Sequence, residues 1–373
     1  MKAYAHAESL AYPDEQNSNV PRPKPYPWIL HPTIDLLFCC GGLVWLFFAA
    51  RFIFFSDLAS FQQSPAVLAL LVLVGHLFSD PHTAATLVRV YRNEESRKKY
   101  HFCTTWAALL CAVSIVVGVF IDDMPRYMLK AYTLLVIHHY MAQTYGLALL
   151  YCYKQNYRLS ALHKRIFWLL AHCTTLFAIL RELTFPEWGG RNFLYYQLPF
   201  IGPLPQWMFL CSVYMLAGAI AVFAIMTTWR AAVRREVIPF PALLLMITGA
   251  AIFIVSGQLS STLWLFVPAL YHGSQYMVVA TAYYLKEAGL PNGLSNHRIA
   301  EALTDVSALR YFAVVVAGGI CIYVGVPYII SEFGVPFTAA FVVSFSAFNF
   351  HHFLTDREIW KMRDPQTRRL LLE

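Results

Sequence analysis

Apolar stretches follow one another along nearly the whole chain, with short polar connections between them. Each is close to the ~20 residues that a helix needs to cross the hydrocarbon core of a bilayer. Spans are predicted at 33–55, 65–90, 103–121, 126–153, 163–183, 205–229, 242–257, 262–285, 310–330 and 337–359. The fold class predicted is all-α, a polytopic transmembrane helical bundle of about ten spans. The shortest, 242–257, is set off from its successor only by the polar run Gly257 to Ser261.

Basic residues orient this bundle, because Lys and Arg accumulate in short loops on the cytosolic side. With the amino terminus inside, 23 of the 28 Lys and Arg fall on the cytosolic side. The exceptions are Arg51, Arg126, Lys130, Arg181 and Arg191. A version with nine spans puts Arg357, Lys361, Arg363, Arg368 and Arg369 on the wrong side, so both termini are expected in the cytosol. Residues 1–32 then form a cytosolic proline-rich arm, 33–359 the bundle and 360–373 a cytosolic basic tail. The first 27 residues lack the apolar core of a signal peptide. Localisation in a bacterial cytoplasmic (inner) membrane is the expectation. The outward loop 184–206 is the longest external connection, and is either a packed cap or a lid over a lipid-facing cavity.

Composition agrees with the pattern. Of 373 residues 58% are hydrophobic and 13% charged, against ~25% charged in an ordinary soluble domain. The net charge of +7 sits in the loops, so topology explains it and no nucleic-acid partner is implied. All eight cysteines fall in apolar spans without a C-x-x-C pair, which marks them as buried hydrophobes rather than disulfides or a zinc site.

Histidines change the picture most. Four times a histidine inside an apolar span is followed by a polar companion: His76 and Asp80, His138 and Gln143, His272 and Tyr276, His351 and Asp356. A titratable side chain at bilayer depth is costly, and normally faces a bundle interior with a task there. The four carrier spans, the second, fourth, eighth and tenth, all run from outside to inside. Their histidines precede the inner basic boundary by six to sixteen residues, or about 9–24 Å at ~1.5 Å per residue. Similar depths allow convergence on one metal ion. His138 and His351 each have a histidine neighbour, His139 and His352. Adjacent residues point about 100° apart, so one of each pair is expected on the metal and the other at a hydrogen bond or the pocket wall.

The primary ligands expected are thus His76, His138, His272 and His351, with His82, His139 and His352 as alternates. His82 follows Pro81, which bends the span and turns that residue inward; a structural role at the bend is the other reading. Asp80 and Asp356 are placed as partners that fix the imidazole tautomers, with Gln143 and Gln275 around the site. Tyr276 is either a hydrogen-bond donor at an open coordination position or a packing residue. Thr83 and Asn349 are further pocket candidates. Several imidazoles with an open position suit non-haem Fe(II), with haem as the alternative.

At these residues the chain resembles the Brp/Blh family of membrane β-carotene 15,15′-dioxygenases. Gly75-His76-Leu77-Phe78-Ser79-Asp80 is similar to that family's first His-x3-Asp element, and Ile137-His138-His139-Tyr140-Met141-Ala142 to its second. Leu270-Tyr271-His272 with Tyr276 occupies the place of a His-x3-His element, and Phe350 to Asp356 resembles the last, His-x4-Asp. Tyr276 stands where the family has a histidine, and Gln143 where it has Asp. The resemblance covers four short pieces. It implies Fe(II) on His76, His138, His272 and His351, with O2 attacking a conjugated double bond of a carotenoid drawn from the bilayer. The expected function is a membrane non-haem iron oxygenase acting on a long apolar substrate, such as a carotenoid or other lipid. A b-type cytochrome and a proton-coupled transporter are the alternatives.

Overall fold

The computed structural model describes residues 26–55, 64–193, 196–255, 261–290 and 294–372. Most of the amino-terminal arm and of the Gly257 to Ser261 connection lies outside these residues. Within them the chain is helical, apart from a two-stranded antiparallel pair, β1 (Asn192–Phe193) and β2 (Tyr196–Gln197).

A helix occupies each predicted span. The first, α1, is a pair bent by 61°, Pro32–Cys39 and Gly42–Phe54. Then come α2 (Pro65–Tyr91), α3 (Phe102–Phe120), α4 (Met124–Lys154), α5 (Ala161–Thr184) and α6 (Gln206–Arg234). The remainder are α7 (Phe240–Val255), α8 (Ser261–Glu287), α9 (Val306–Ser331) and α10 (Phe337–Ile359). A short amphipathic helix, α11 (Pro365–Leu372), lies against α4 and α8.

Length and apolarity sufficient to cross a membrane are shown by α2, α3, α5, α6, α9 and α10, and by α1 if its bent halves count as one span. Among the described residues the number is therefore six, or up to seven, rather than the ten expected. The shortfall has a physical cause. At 16 residues α7 is short. The helices α4 and α8 are long, at 31 and 27 residues, but spend many positions on Tyr, His, Gln and Thr. Many of those positions are turned into the bundle: from Val267 to Tyr283 almost every residue of α8 is buried. A helix shielded by its neighbours needs no lipid-compatible surface.

Local signals set the helix ends. Ser160 caps α5 and His163 closes a capping box with it, while Asp305 accepts from the Ser307 amide at 2.8 Å to start α9. The four histidine-bearing helices α2, α4, α8 and α10 form the centre: α2 packs on α8, α9 and α10, and α4 on α5, α7 and α10. Two glycines permit the tightest approaches. A Cβ on Gly273 of α8 would lie 2.6 Å from the Phe78 carbonyl oxygen, and one on Gly319 of α9 would lie 2.7 Å from the Asp80 carbonyl carbon. Between them they grip the segment Phe78 to Asp80. That segment ends a π-helical turn, Gly75–Ser79, an insertion that rotates all later residues of α2 relative to an unbroken α-helix.

Of the two readings for the loop 184–206, its contacts with the bundle support the packed cap. Lys130 of α4 donates to the Gly189 carbonyl at 2.8 Å and faces Glu182, which also pairs with Arg191. Lys130 and Glu182 are fully buried, so the loop is pinned onto α4 and α5. Among the cysteines six are buried, whereas Cys211 and Cys321 are exposed on the apolar outer surface.

Candidate metal centre

The imidazoles of His82, His139, His272 and His352 come together in the middle of α2, α4, α8 and α10. Ring centroids are 4.9 Å apart for His82 and His272, and 4.5 Å for His82 and His352. His139 lies 4.7 Å from His272 and 5.0 Å from His352, and the two last are 5.9 Å apart. Asp356, one turn after His352, adds a carboxylate: its Oδ2 is 3.3 Å from Nε2 of His352 and 3.7 Å from Nε2 of His139.

Three of the four primary ligands expected from the sequence are not in this group, and the correction has one cause each. His76 lies at the start of the π-helical turn that rephases α2, and His82, after it, points inward in its place. His76 instead pairs with Asp80 at 2.7 Å. His138 faces outward from α4 beside His172, at 5.7 Å between centroids, because the roll of α4 turns His139 inward. His351 is turned toward α3, where its Nε2–H donates to the Cys103 carbonyl at 3.0 Å. His272 is the primary residue that does lie in the cluster. Asp80, expected as a catalytic partner of the site, sits on a cavity wall with His76.

Hydrogen bonds orient two of the rings. Nδ1–H of His82 donates to the Ser79 carbonyl, and Nδ1–H of His352 donates to the Thr86 hydroxyl at 2.9 Å. Each leaves Nε2 as the atom with a lone pair, the arrangement common to histidines that hold metals. Thr86 also touches the Tyr276 hydroxyl at 2.6 Å and donates to Asp356 Oδ1 at 3.2 Å. Sequence reasoning missed Thr86. Its position four residues after His82, on the same face of α2, was the available signal. Gln143 donates to the His272 carbonyl at 3.1 Å and to Gln275 at 3.0 Å, so these two amides brace the α8 backbone rather than a ring.

Buried polar atoms without a partner mark the centre as a binding site. Among the described residues, Nε2 of His139, both ring nitrogens of His272 and Nε2 of His352 make no hydrogen bond. Such atoms normally have partners, and a group of them in one place calls for a ligand that they share. One ligand atom each from His82, His272 and His352 lies within 4.8 Å of the others, and the same holds for His139, His352 and Asp356. Donors at ~2.0–2.2 Å around one tetrahedral ion are ~3.3–3.6 Å apart, so each trio completes a coordination shell by closing in by up to about an ångström. The donor set, rich in imidazole with one carboxylate, fits a divalent transition metal.

A cavity of about 210 Å³ adjoins the centre. His82 and Tyr140 belong to both, since Tyr140 lines the cavity and stacks on the His272 ring at 4.5 Å. Tyr323 spans its far wall, bonded to Thr83 at 2.8 Å and to Asn349 at 3.2 Å. Val72 and Val324, at its rim, are exposed on the apolar outside of the bundle, so the opening is lateral. No family model matches this chain, and no curated protein or solved structure matches it.

Proposed function

We propose that the chain is an integral-membrane, histidine-ligated non-haem iron oxygenase acting on a long apolar lipid, with a carotenoid as the leading substrate class. The carrying observation is the convergence of unpartnered imidazole nitrogens beside a cavity that opens sideways through an apolar surface. In this reading all ten helices cross, both termini are cytosolic, and the protein resides in a bacterial cytoplasmic membrane. The burial of much of α4, α7 and α8 among neighbouring helices supports that count.

His82, His139, His272 and His352 hold the ion, and Asp356 offers Oδ2. When bound, iron supplies the activation of O2 toward a conjugated double bond, and for β-carotene cleavage at the centre gives two molecules of retinal. The protein's own part is positional. Tyr276 and Thr86 keep the carboxylate aimed, Tyr140 holds the His272 ring flat against the cavity wall, and the valine rim admits a hydrocarbon while excluding water. Close packing of four rings supports a bare ion over haem, since a porphyrin needs an open plane between two axial imidazoles. Stoichiometric iron without a Soret band, lost in a His272→Ala, His352→Ala double variant, is the expected result with detergent-purified protein. Iron retained at full occupancy in that variant rejects the site. Loss of colour and appearance of retinal in a host that makes β-carotene tests the substrate, and unchanged pigment counts against it.

A further inference from the structure

The lateral cavity has a polar end that a pure hydrocarbon does not satisfy. His76 and Asp80 both line it, and Nδ1 of His76 lies 2.7 Å from Oδ2 of Asp80. Among the described residues the remaining polar atoms of the pair, Nε2 of His76 and Oδ1 of Asp80, have no hydrogen-bond partner. The two side chains keep 43% and 19% of their surface exposed, and both contribute to the cavity wall. Its other walls are largely apolar, including Val72, Val74, Leu270 and Phe341. Of the other polar groups there, Tyr323 and Asn349 bond to each other and Tyr323 to Thr83, His82 pairs with the Ser79 carbonyl, and the Tyr132 and Tyr140 hydroxyls add to the lining.

From this geometry we infer that the cavity binds a long-chain lipid carrying a terminal hydroxyl group, which hydrogen-bonds to the His76–Asp80 pair while the chain lies along the apolar walls. A hydroxyl is the fitting group because it donates and accepts at once: it gives its one proton to Asp80 Oδ1 and accepts from Nε2–H of a doubly protonated His76 ring, whereas beside a neutral ring, whose N–H already faces Asp80, that proton goes to one of the two atoms. A hydrocarbon end would leave both atoms dry and unpaired, at a cost of ~1–3 kcal/mol for each such group. The cavity, at about 210 Å³, is far larger than the ~10–15 Å³ that a single water requires. Gly319 fixes the position of the pair by allowing α9 to press against the Asp80 backbone. The inference rests on the oxygenase reading only in taking this cavity as the substrate's berth, and within that reading it favours a hydroxylated carotenoid or other lipid alcohol over an unsubstituted hydrocarbon such as β-carotene.

The test is equilibrium binding of geranylgeraniol and of its deoxy hydrocarbon to full-length, metal-stripped protein in nanodiscs, corrected for partition into protein-free discs. The alcohol is expected to bind about tenfold more tightly, the equivalent of one charge-assisted hydrogen bond. His76→Leu should abolish that preference and His76→Gln should restore part of it. Asp80→Asn serves as a second probe where His76→Leu does not elute as a monodisperse species. Equal affinity for the two probes, or a preference unchanged by His76→Leu and Asp80→Asn, overturns the inference. Because binding is measured without metal, failure of the iron site leaves this result standing, and iron bound by a protein without the preference overturns the lipid inference alone.

Discussion

The hydroxyl of Tyr276 donates to Oδ1 of Asp356 at 3.1 Å, which leaves Oδ2 of the same carboxylate as the oxygen nearest His352 and His139. Tyr276 therefore aims a carboxylate at the centre rather than standing at an open coordination position, and Thr86 repeats the contact from α2. Removing an oriented partner of this kind typically costs 10–100-fold in metal affinity. Tyr276→Phe is expected to weaken iron binding by about tenfold, at the lower end because Thr86 remains. Competition with a chromophoric chelator measures it, and an unchanged dissociation constant would show that the tyrosine only packs.

Paired histidines give a sharper test, since each pair holds one ring in the cluster and one turned away from it. His139→Ala and His352→Ala should each reduce bound iron to a small fraction, whereas His138→Ala and His351→Ala should leave iron content close to that of the parent. Elemental analysis of the four purified variants decides it. Iron lost with His138→Ala and kept with His139→Ala would reverse the assignment.

Close approach at Gly273 carries its own consequence. A methyl group there meets the Phe78 carbonyl oxygen at 2.6 Å, so α8 must move away from α2 and carry His272 with it. Gly273→Ala is expected to cost about 1–3 kcal/mol of stability, as overpacking usually does, and to lower iron affinity as well. Thermal melting in detergent and an iron titration follow the two effects. Normal iron affinity in a destabilised protein would separate the packing from the site.

Far from the histidine cluster, Glu182 holds Lys130 and Arg191 in a buried cluster under the loop 184–206. Removing one partner of a buried ion pair typically destabilises by 3–5 kcal/mol, because the uncompensated charge stays behind. Glu182→Gln should therefore lose about 3 kcal/mol or more in denaturant unfolding while iron content per folded protein stays unchanged. A variant as stable as the parent would mean that water reaches the lysine.

Where the helices lie was settled by the sequence. Runs of apolar residues, prolines at first turns and capping residues such as Ser160 and Asp305 act over one or two turns, and local chemistry of that range can be read along a chain. The same reading named both members of each histidine pair, and His82 with them, because an imidazole in an apolar span stands out wherever it points. Choice between His138 and His139, or His351 and His352, belonged to tertiary structure. Neighbours on a helix differ by a rotation of about 100°, and that roll is decided by which surfaces pack, as at Gly273 and Gly319. The π-helical turn at Gly75–Ser79 adds one more rotation that no local pattern announced, turning His82 inward and leaving His76 to the cavity. For the same reason Thr86 had no visible role until α2, α8 and α10 were placed side by side. The count of crossings also lay beyond sequence, because the polarity of α4 and α8 has meaning only once neighbouring helices are seen to cover them.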